Sequence, residues 1–204
     1  MIITFEGIEG SGKSFHLKNV KKFLLKKKIN FISLREPGGS KNSEKIRSLI
    51  LNKKSNFTKY TDLMLYLASR SENIDKLIRP NYKKKVILID RFIDSTIAYQ
   101  SYGMGIDKTL VKLINNKLLN GIKVDFTFLN TVNNRNLKSR LLKRKSLNRY
   151  DKFQISFYTK VQKGFLKLSK LNKNKYMVID SNKEINHNKI IILNKIEKLL
   201  KLWW

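Results

Sequence analysis

Gly7-x-x-x-x-Gly12-Lys13-Ser14 is the stretch of this chain best equipped for chemistry. Gly7, Gly10 and Gly12 let the backbone curl until successive N–H groups converge on an anion. Ile8, Glu9 and Ser11 fill the loop between them. Lys13 has the reach to meet a terminal phosphate, and the Ser14 hydroxyl is a hard oxygen donor of the kind Mg²⁺ accepts. The apolar run Ile2 to Phe5 precedes the loop and a helical pattern, Phe15 to Lys28, follows it. Strand, glycine turn and helix N-terminus in that order make an anion site. A turn that merely connects strand to helix is the plain alternative.

Five other stretches carry candidate chemistry. Asp90-Arg91 ends the apolar run Val86 to Ile89, so an acid and a base arrive together at a strand's C-terminal end. Asp90 suits the acid that supports Mg²⁺ opposite a phosphate loop, and Arg91 can clamp a second phosphate. Arg35-Glu36 closes another short run ahead of Pro37-Gly38-Gly39, and Arg47 lies in the short amphipathic stretch beyond. Tyr66 and Arg70 are four apart on one helix face, where a ring and a guanidinium can hold a flat heterocycle. On spacing alone, a core tyrosine beside a surface arginine is the favoured plain alternative. Thr96, Tyr99 and Gln100 cluster in Asp94-Ser-Thr-Ile-Ala-Tyr-Gln100, and Arg140, Arg144 and Arg149 follow in a basic stretch.

The elements that must position these groups alternate along the chain. Strands are predicted at Ile2 to Phe5, Asn30 to Leu34, Val86 to Ile89, Asp125 to Leu129 and Tyr176 to Ile179. Helical patterns lie between them: Ser43 to Leu51, Thr61 to Ile78, a start at Asp94, Asp107 to Leu119, Asn133 to Lys145 and Phe153 to Leu171, with Ile185 to Leu202 closing the chain. This alternation predicts one α/β domain, residues 1–204, with a five-stranded parallel sheet flanked by helices. Residues 143–153 are basic and poor in apolar side chains, the best candidate for a short Arg-rich lid.

Composition narrows the classes. The 204 residues include no cysteine, so disulfides and thiolate metal sites are excluded, and a reducing cytoplasm is expected. Met1 runs directly into the first strand, which predicts no cleavable leader. No apolar run reaches the ~20 residues of a membrane span. The net charge of +29 raises nucleic acid as a partner, yet 35 of the 44 basic residues are lysines dispersed among Asn and Ile. That reads mainly as solvated faces, with some help toward anionic substrates. Seven of the nine arginines fall instead in stretches with other signals, where a planar fork matters. His16 and His187 lie outside every motif and read as structural or surface residues.

In order, F-E-G-I-E-G-S-G-K-S, R-E-P-G-G, L-Y-L-A-S-R, D-R-F, S-T-I-A-Y-Q, the arginines up to Arg149, and I-D-S resemble the bacterial thymidylate kinases of the phosphate-loop nucleoside monophosphate kinase superfamily. The resemblance runs from Ile2 to about Ser181. It implies a phosphate-loop NTPase fold, ATP and Mg²⁺, dTMP as acceptor, dTDP as product, and a homodimer with no specific nucleic acid and no membrane.

Carried over, Gly7 to Ser14 hold the ATP phosphates, Ser14 and Asp90 the metal. Glu9 takes the deoxyribose 3′-hydroxyl. Arg35, Arg47 and Arg91 take the dTMP phosphate, with Glu36 near them. Tyr66 stacks on thymine where the family more often has Phe, and Arg70 donates to a thymine carbonyl. Thr96 and Gln100 read the base edge, and Tyr99 crowds the ribose 2′ position. Arg149, with Arg144, matches the lid arginines that join Lys13, Asp90 and Arg91 in catalysis. No arginine lies among Ile8 to Ser11, so the lid-arginine class is implied. Ser40 and Asp151 depart from the commoner Thr and Glu.

Phosphoryl transfer between two anions needs positioning and neutralisation rather than a new nucleophile. Rival readings are a kinase for another monophosphate or nucleoside, a basic nucleic-acid-dependent NTPase, and a silent scaffold. The last conflicts with an intact Lys13, Ser14, Asp90 and Arg91.

Overall fold

The computed structural model describes residues 1–143 and 149–203, with only the backbone of Asp151 and Lys152. Five parallel strands, β1 (Ile2–Glu6), β2 (Phe31–Arg35), β3 (Val86–Asp90), β4 (Phe126–Thr131) and β5 (Tyr176–Asp180), form one sheet in the order β2-β3-β1-β4-β5. From β1 the chain winds outward to β2, returns to β3, then crosses to β4 on the other flank. The strand order thus reverses beside β1, and the crevice at the strands' C-terminal ends is where such sheets take ligands.

Both sheet faces are covered, so the strands are apolar on both sides. Ile3, Phe5, Val86, Leu88, Phe126 and Phe128 pack under α1 (Lys13–Lys26) and α9 (Ile185–Trp203). Their neighbours Ile2, Ile87 and Ile89 point the other way, with Ile74, Ile78 and Ile122. On α1, Leu17, Val20 and Leu24 share the buried face at helical spacing. Trp203 packs against the first cluster, and His16 is buried on α1.

The remaining helices are α2 (Lys41–Leu51), α3 (Lys59–Asn73), α4 (Arg79–Asn81), α5 (Ile93–Thr96), α6 (Lys108–Leu119), α7 (Asn134–Leu142) and α8 (Ile155–Leu171). Side-chain caps start several of them: Ser40 accepts from the Ser43 N–H at 3.3 Å, Asp107 from Thr109 at 3.0 Å, and Asn133 from Asn136 at 2.8 Å.

Several boundaries differ from the sequence expectation. Every strand extends past its apolar run, ending in Glu6, Arg35, Asp90, Thr131 and Asp180, because sheet pairing continues where polar side chains line the crevice. The single helix expected from Thr61 to Ile78 starts at Lys59 and turns π-helical over Ile74–Ile78. The helix opened by α5 also becomes π-helical, Ile97–Gly103, and that turn carries Tyr99 and Gln100. Widened turns of this kind are frequent at functional sites.

Candidate active site

The register Phe5↔Asp90 sets the loop after β1 beside the turn after β3. The loop's curl depends on Gly7, at φ 134°, where an added Cβ would lie 2.2 Å from the Asn130 carbonyl oxygen. Gly12, at φ 85°, delivers the chain into α1. Lys13 lies almost fully buried across the loop and donates to the carbonyls of Gly7 (2.9 Å) and Ile8 (2.8 Å). Burial, then the nearby Arg91, pushes its ammonium down to about 8, while Asp90, Glu9 and Glu6 pull the other way. The Ser14 hydroxyl donates to Asp90 Oδ2 at 3.3 Å, so two hard oxygen donors face one another at the mouth of the loop.

Arg91 has φ 66°, unusual for a residue with a side chain. Its turn is held by its own N–H to the Phe5 carbonyl (3.0 Å) and by the Phe92 N–H to Glu6 Oε1 (2.7 Å). The guanidinium then donates to the Gly7 carbonyl at 2.7 Å and to Glu9 Oε1 at 3.0 Å, and lies over the Tyr99 ring. Burial opposes the charge of Glu9, but Arg91, Lys13 and the Tyr99 hydroxyl together hold it below the ordinary carboxylate range. Beneath it, burial and the neighbouring Asp94 push Glu6 up to about 7. Ser95 donates to Glu6 Oε2 at 2.5 Å and takes an N–H of Arg91 at 3.4 Å.

A cleft of about 390 Å³ opens over the loop, bounded by Lys13, Ser14, Asp90, Arg91, Arg47 and Tyr66. It adjoins a small cavity of about 30 Å³ lined by Glu9, Tyr66, Arg70, Thr96, Tyr99 and Gln100. Arg70, 1 % exposed, forms the cavity's polar wall and is itself pinned. Its Nε donates to Glu36 Oε2 at 2.8 Å, its Nη2 lies 2.8 Å from the same oxygen, and its Nη1 donates to Asn115 Oδ1 at 2.5 Å. Glu36 therefore pairs with Arg70 rather than with the rim arginines. Burial raises its pKa against the pull of Arg70 and Asn73. The Thr96 hydroxyl is buried in the cavity wall with no hydrogen-bond partner among the described residues. The Gln100 Nε2 donates to Asp62 Oδ2 at 3.2 Å. Asp62 also receives the Tyr150 hydroxyl at 2.7 Å and is salt-bridged by Arg149. Tyr150 lies edge-on to both Tyr66 and Tyr99 and closes the cavity.

At the rim, Arg35 pairs with Glu44 at 3.0 Å and Arg47 donates to the Pro37 carbonyl at 2.5 Å. Arg144 lies outside the described residues. Three further residues bear on the site. Arg140 donates to the carbonyls of Gly10 (2.8 Å) and Ser181 (2.6 Å), tying the loop to the end of β5. Asp62 and Tyr150 link the basic stretch to the cavity. Only the arginine content of its stretch pointed to Arg140. Nothing in the local sequence distinguishes Asp62 from an acid in an ordinary first helical turn.

The site's neighbours among known proteins are consistent. The family model described as thymidylate kinase matches residues 5–190. The chain is 40 % identical over 204 residues to a thymidylate kinase of Acholeplasma laidlawii (strain PG-8A), covering 98 % of this chain and 100 % of that one. It is 36 % identical over 202 residues to a thymidylate kinase of Prosthecochloris aestuarii (strain DSM 271 / SK 413), covering 93 % and 91 %. The crystal structure of thymidylate kinase from Ehrlichia chaffeensis superposes with a TM-score of 0.75 at 32 % identity, covering 98 % of both chains.

Proposed function

Because this chain belongs to the thymidylate kinase family, its reaction is the ATP-dependent phosphorylation of dTMP to dTDP, and we propose that the cleft divides that work among the residues described above. One observation carries this reading: the phosphate loop and the Asp90-Arg91 turn converge on one cleft that adjoins a cavity walled by Tyr66, Arg70, Thr96 and Gln100.

The loop N–H groups and Lys13 hold the ATP phosphates. Arg91, Arg47 and Arg35 gather the dTMP phosphate, whose oxygen attacks the γ-phosphorus in line with the departing ADP oxygen. Lys13 and Arg91 neutralise charge on the transferring group, and on the family pattern Arg144 and Arg149 add to this as the lid closes and excludes water, Arg149 by leaving the Asp62 salt bridge it makes here. Glu9, kept ionised by Arg91, accepts from the deoxyribose 3′-hydroxyl, and Tyr99 crowds the 2′ position. Tyr66 stacks on thymine. Two of the five Arg70 N–H groups are left over from Glu36 and Asn115 to reach a base carbonyl. The cavity has room for about one water molecule, and Tyr150, which closes it, belongs to the basic stretch 143–153 that we take as the lid.

Mg²⁺ fits the donor set: Ser14 and Asp90 are both hard oxygen ligands, 3.3 Å apart. When bound, the ion neutralises the ATP phosphates. We take the enzyme to be a cytoplasmic homodimer. Leu49 on α2, Met64 on α3 and Leu113 on α6 are each about half or more exposed, apolar surface open to a second copy. Physiological salt screens the +29 charge beyond about 8 Å. No helix among the described residues is long and apolar enough to cross a membrane.

The test is a panel of monophosphates in a coupled ADP-release assay without nucleic acid, with and without Mg²⁺. dTMP is expected to be the best acceptor. Equal turnover of dCMP, or dependence on added nucleic acid, refutes the reading.

A further inference from the structure

We propose that Asp62 is a specificity-determining positioning residue: its carboxylate orients the Gln100 amide so that Oε1 faces the base, selecting pyrimidines that carry an N3–H. The inference rests on the reading of the cavity as the base pocket.

A carboxylate can only accept hydrogen bonds, and the Asp62 carboxylate is salt-bridged by Arg149. Its other contacts are donors too, the Tyr150 hydroxyl and the Gln100 Nε2. An amide has one donor end and one acceptor end. With Nε2 held by Asp62, flipping Gln100 would set its oxygen against a carboxylate oxygen inside a buried site. Asp62 is 1 % exposed and Gln100 1 % exposed, so water cannot relieve that clash. Gln100 therefore presents an acceptor to the cavity it lines.

Thymine and uracil offer a donor at N3, whereas cytosine offers a lone pair. The Thr96 hydroxyl, buried there without a partner among the described residues, cannot discriminate because it donates or accepts by rotation. The N3 reading thus belongs to Gln100, and its sense is set by Asp62. The same carboxylate binds Arg149 and Tyr150, so the lid docks on the group that orients the base reader.

The experiment measures kcat/KM for dTMP, dCMP and dUMP with wild type, Asp62→Asn, Gln100→Leu and the double variant. Each comparison is a ratio on one preparation, so a reduced folded fraction cancels. Asp62→Asn frees the amide to turn, and the dTMP:dCMP ratio is expected to fall about tenfold or more, the scale of one unsatisfied buried group. The dTMP:dUMP ratio is expected to hold, because both bases carry N3–H. Gln100→Leu is expected to narrow dTMP:dCMP as well, with no further change in the double variant if Asp62 acts through Gln100. A dTMP:dCMP ratio within about twofold of wild type in Asp62→Asn, while Gln100→Leu narrows it, overturns the inference and leaves the pocket reading standing. A ratio unmoved by Gln100→Leu itself overturns the pocket reading and the inference together. Asp62→Ser, which also lacks the obligate acceptor, serves if Asp62→Asn cannot be purified.

Discussion

Replacing Arg70 by methionine is expected to cost stability before it costs recognition. Arg70 and Glu36 have side chains only 1 % and 3 % exposed, and Arg70 brings two nitrogens to within 2.8 Å of one Glu36 oxygen. Methionine keeps the apolar stem but not the guanidinium, and leaves Glu36 a buried acid whose remaining side-chain partner among the described residues is Asn73. Removing one partner of such a pair costs about 3–5 kcal/mol. For a chain of this size each kcal/mol lowers the melting temperature by about 2–4 °C, so a fall of roughly 10 °C is expected. Differential scanning calorimetry reads it directly. The double variant Arg70→Met/Glu36→Gln removes the stranded charge and is expected to regain about half of the loss. A drop below about 2 °C for the single variant, or a double variant no more stable than the single, refutes the argument. At a temperature where Arg70→Met is folded, dTMP turnover is expected to fall strongly and dCMP turnover little. Equal losses mean that Arg70 supports the wall without reading the base.

Other outcomes follow from the same geometry. Tyr66→Phe is expected to be nearly silent in steady-state kinetics and Tyr66→Ala to weaken dTMP and dCMP alike, since stacking requires only the ring plane. Arg140→Ala unties the loop from β5 and is expected to raise the KM for ATP about tenfold with a smaller effect on that for dTMP; equal effects would argue for a general structural role. For Glu6, pushed up to about 7 from an ordinary 4.5, the folded protein holds a proton between those pH values that the unfolded chain has lost. Stability therefore falls as pH rises through that window and levels off above it. Glu6→Gln is expected to flatten that slope in urea unfolding between about pH 5 and 8, and an unchanged slope contradicts the assignment. Sedimentation at physiological salt is expected to give a dimer; a monomer removes that proposal.

The sheet and the phosphate loop were legible because their signals are local. Apolar runs of four residues mark buried parallel strands, and Gly7 to Ser14 carries its own conformational requirement. The strand ends were read a residue or two short: Glu6, Asp90 and Asp180 are charged, and an apolar run stops at a charge although backbone pairing does not. The π-helical turn under Tyr99 and Gln100 leaves no mark in side-chain spacing. Arg70 shows the limit of reading a helix face. Its spacing from Tyr66 suggested a base contact, while its pairing with Glu36 and Asn115 depends on residues 34 and 45 positions away. Asp62 was invisible for the same reason, since Gln100, Arg149 and Tyr150 reach it only after folding.

The fate of the γ-phosphoryl group is the most direct measure of what this protein does. Purified protein with ATP, Mg²⁺ and dTMP, free of nucleic acid, is followed by chromatography for dTDP and ADP, beside Lys13→Ala. Lys13 is the cation lying across the loop, donating to the Gly7 and Ile8 carbonyls. The prediction is dTDP and ADP in equal amounts from wild type, no ADP without an acceptor monophosphate, and at least about a hundredfold loss in Lys13→Ala, or ~2.7 kcal/mol of barrier. ADP formed at the same rate without dTMP, or a variant that loses less than about tenfold, would contradict it.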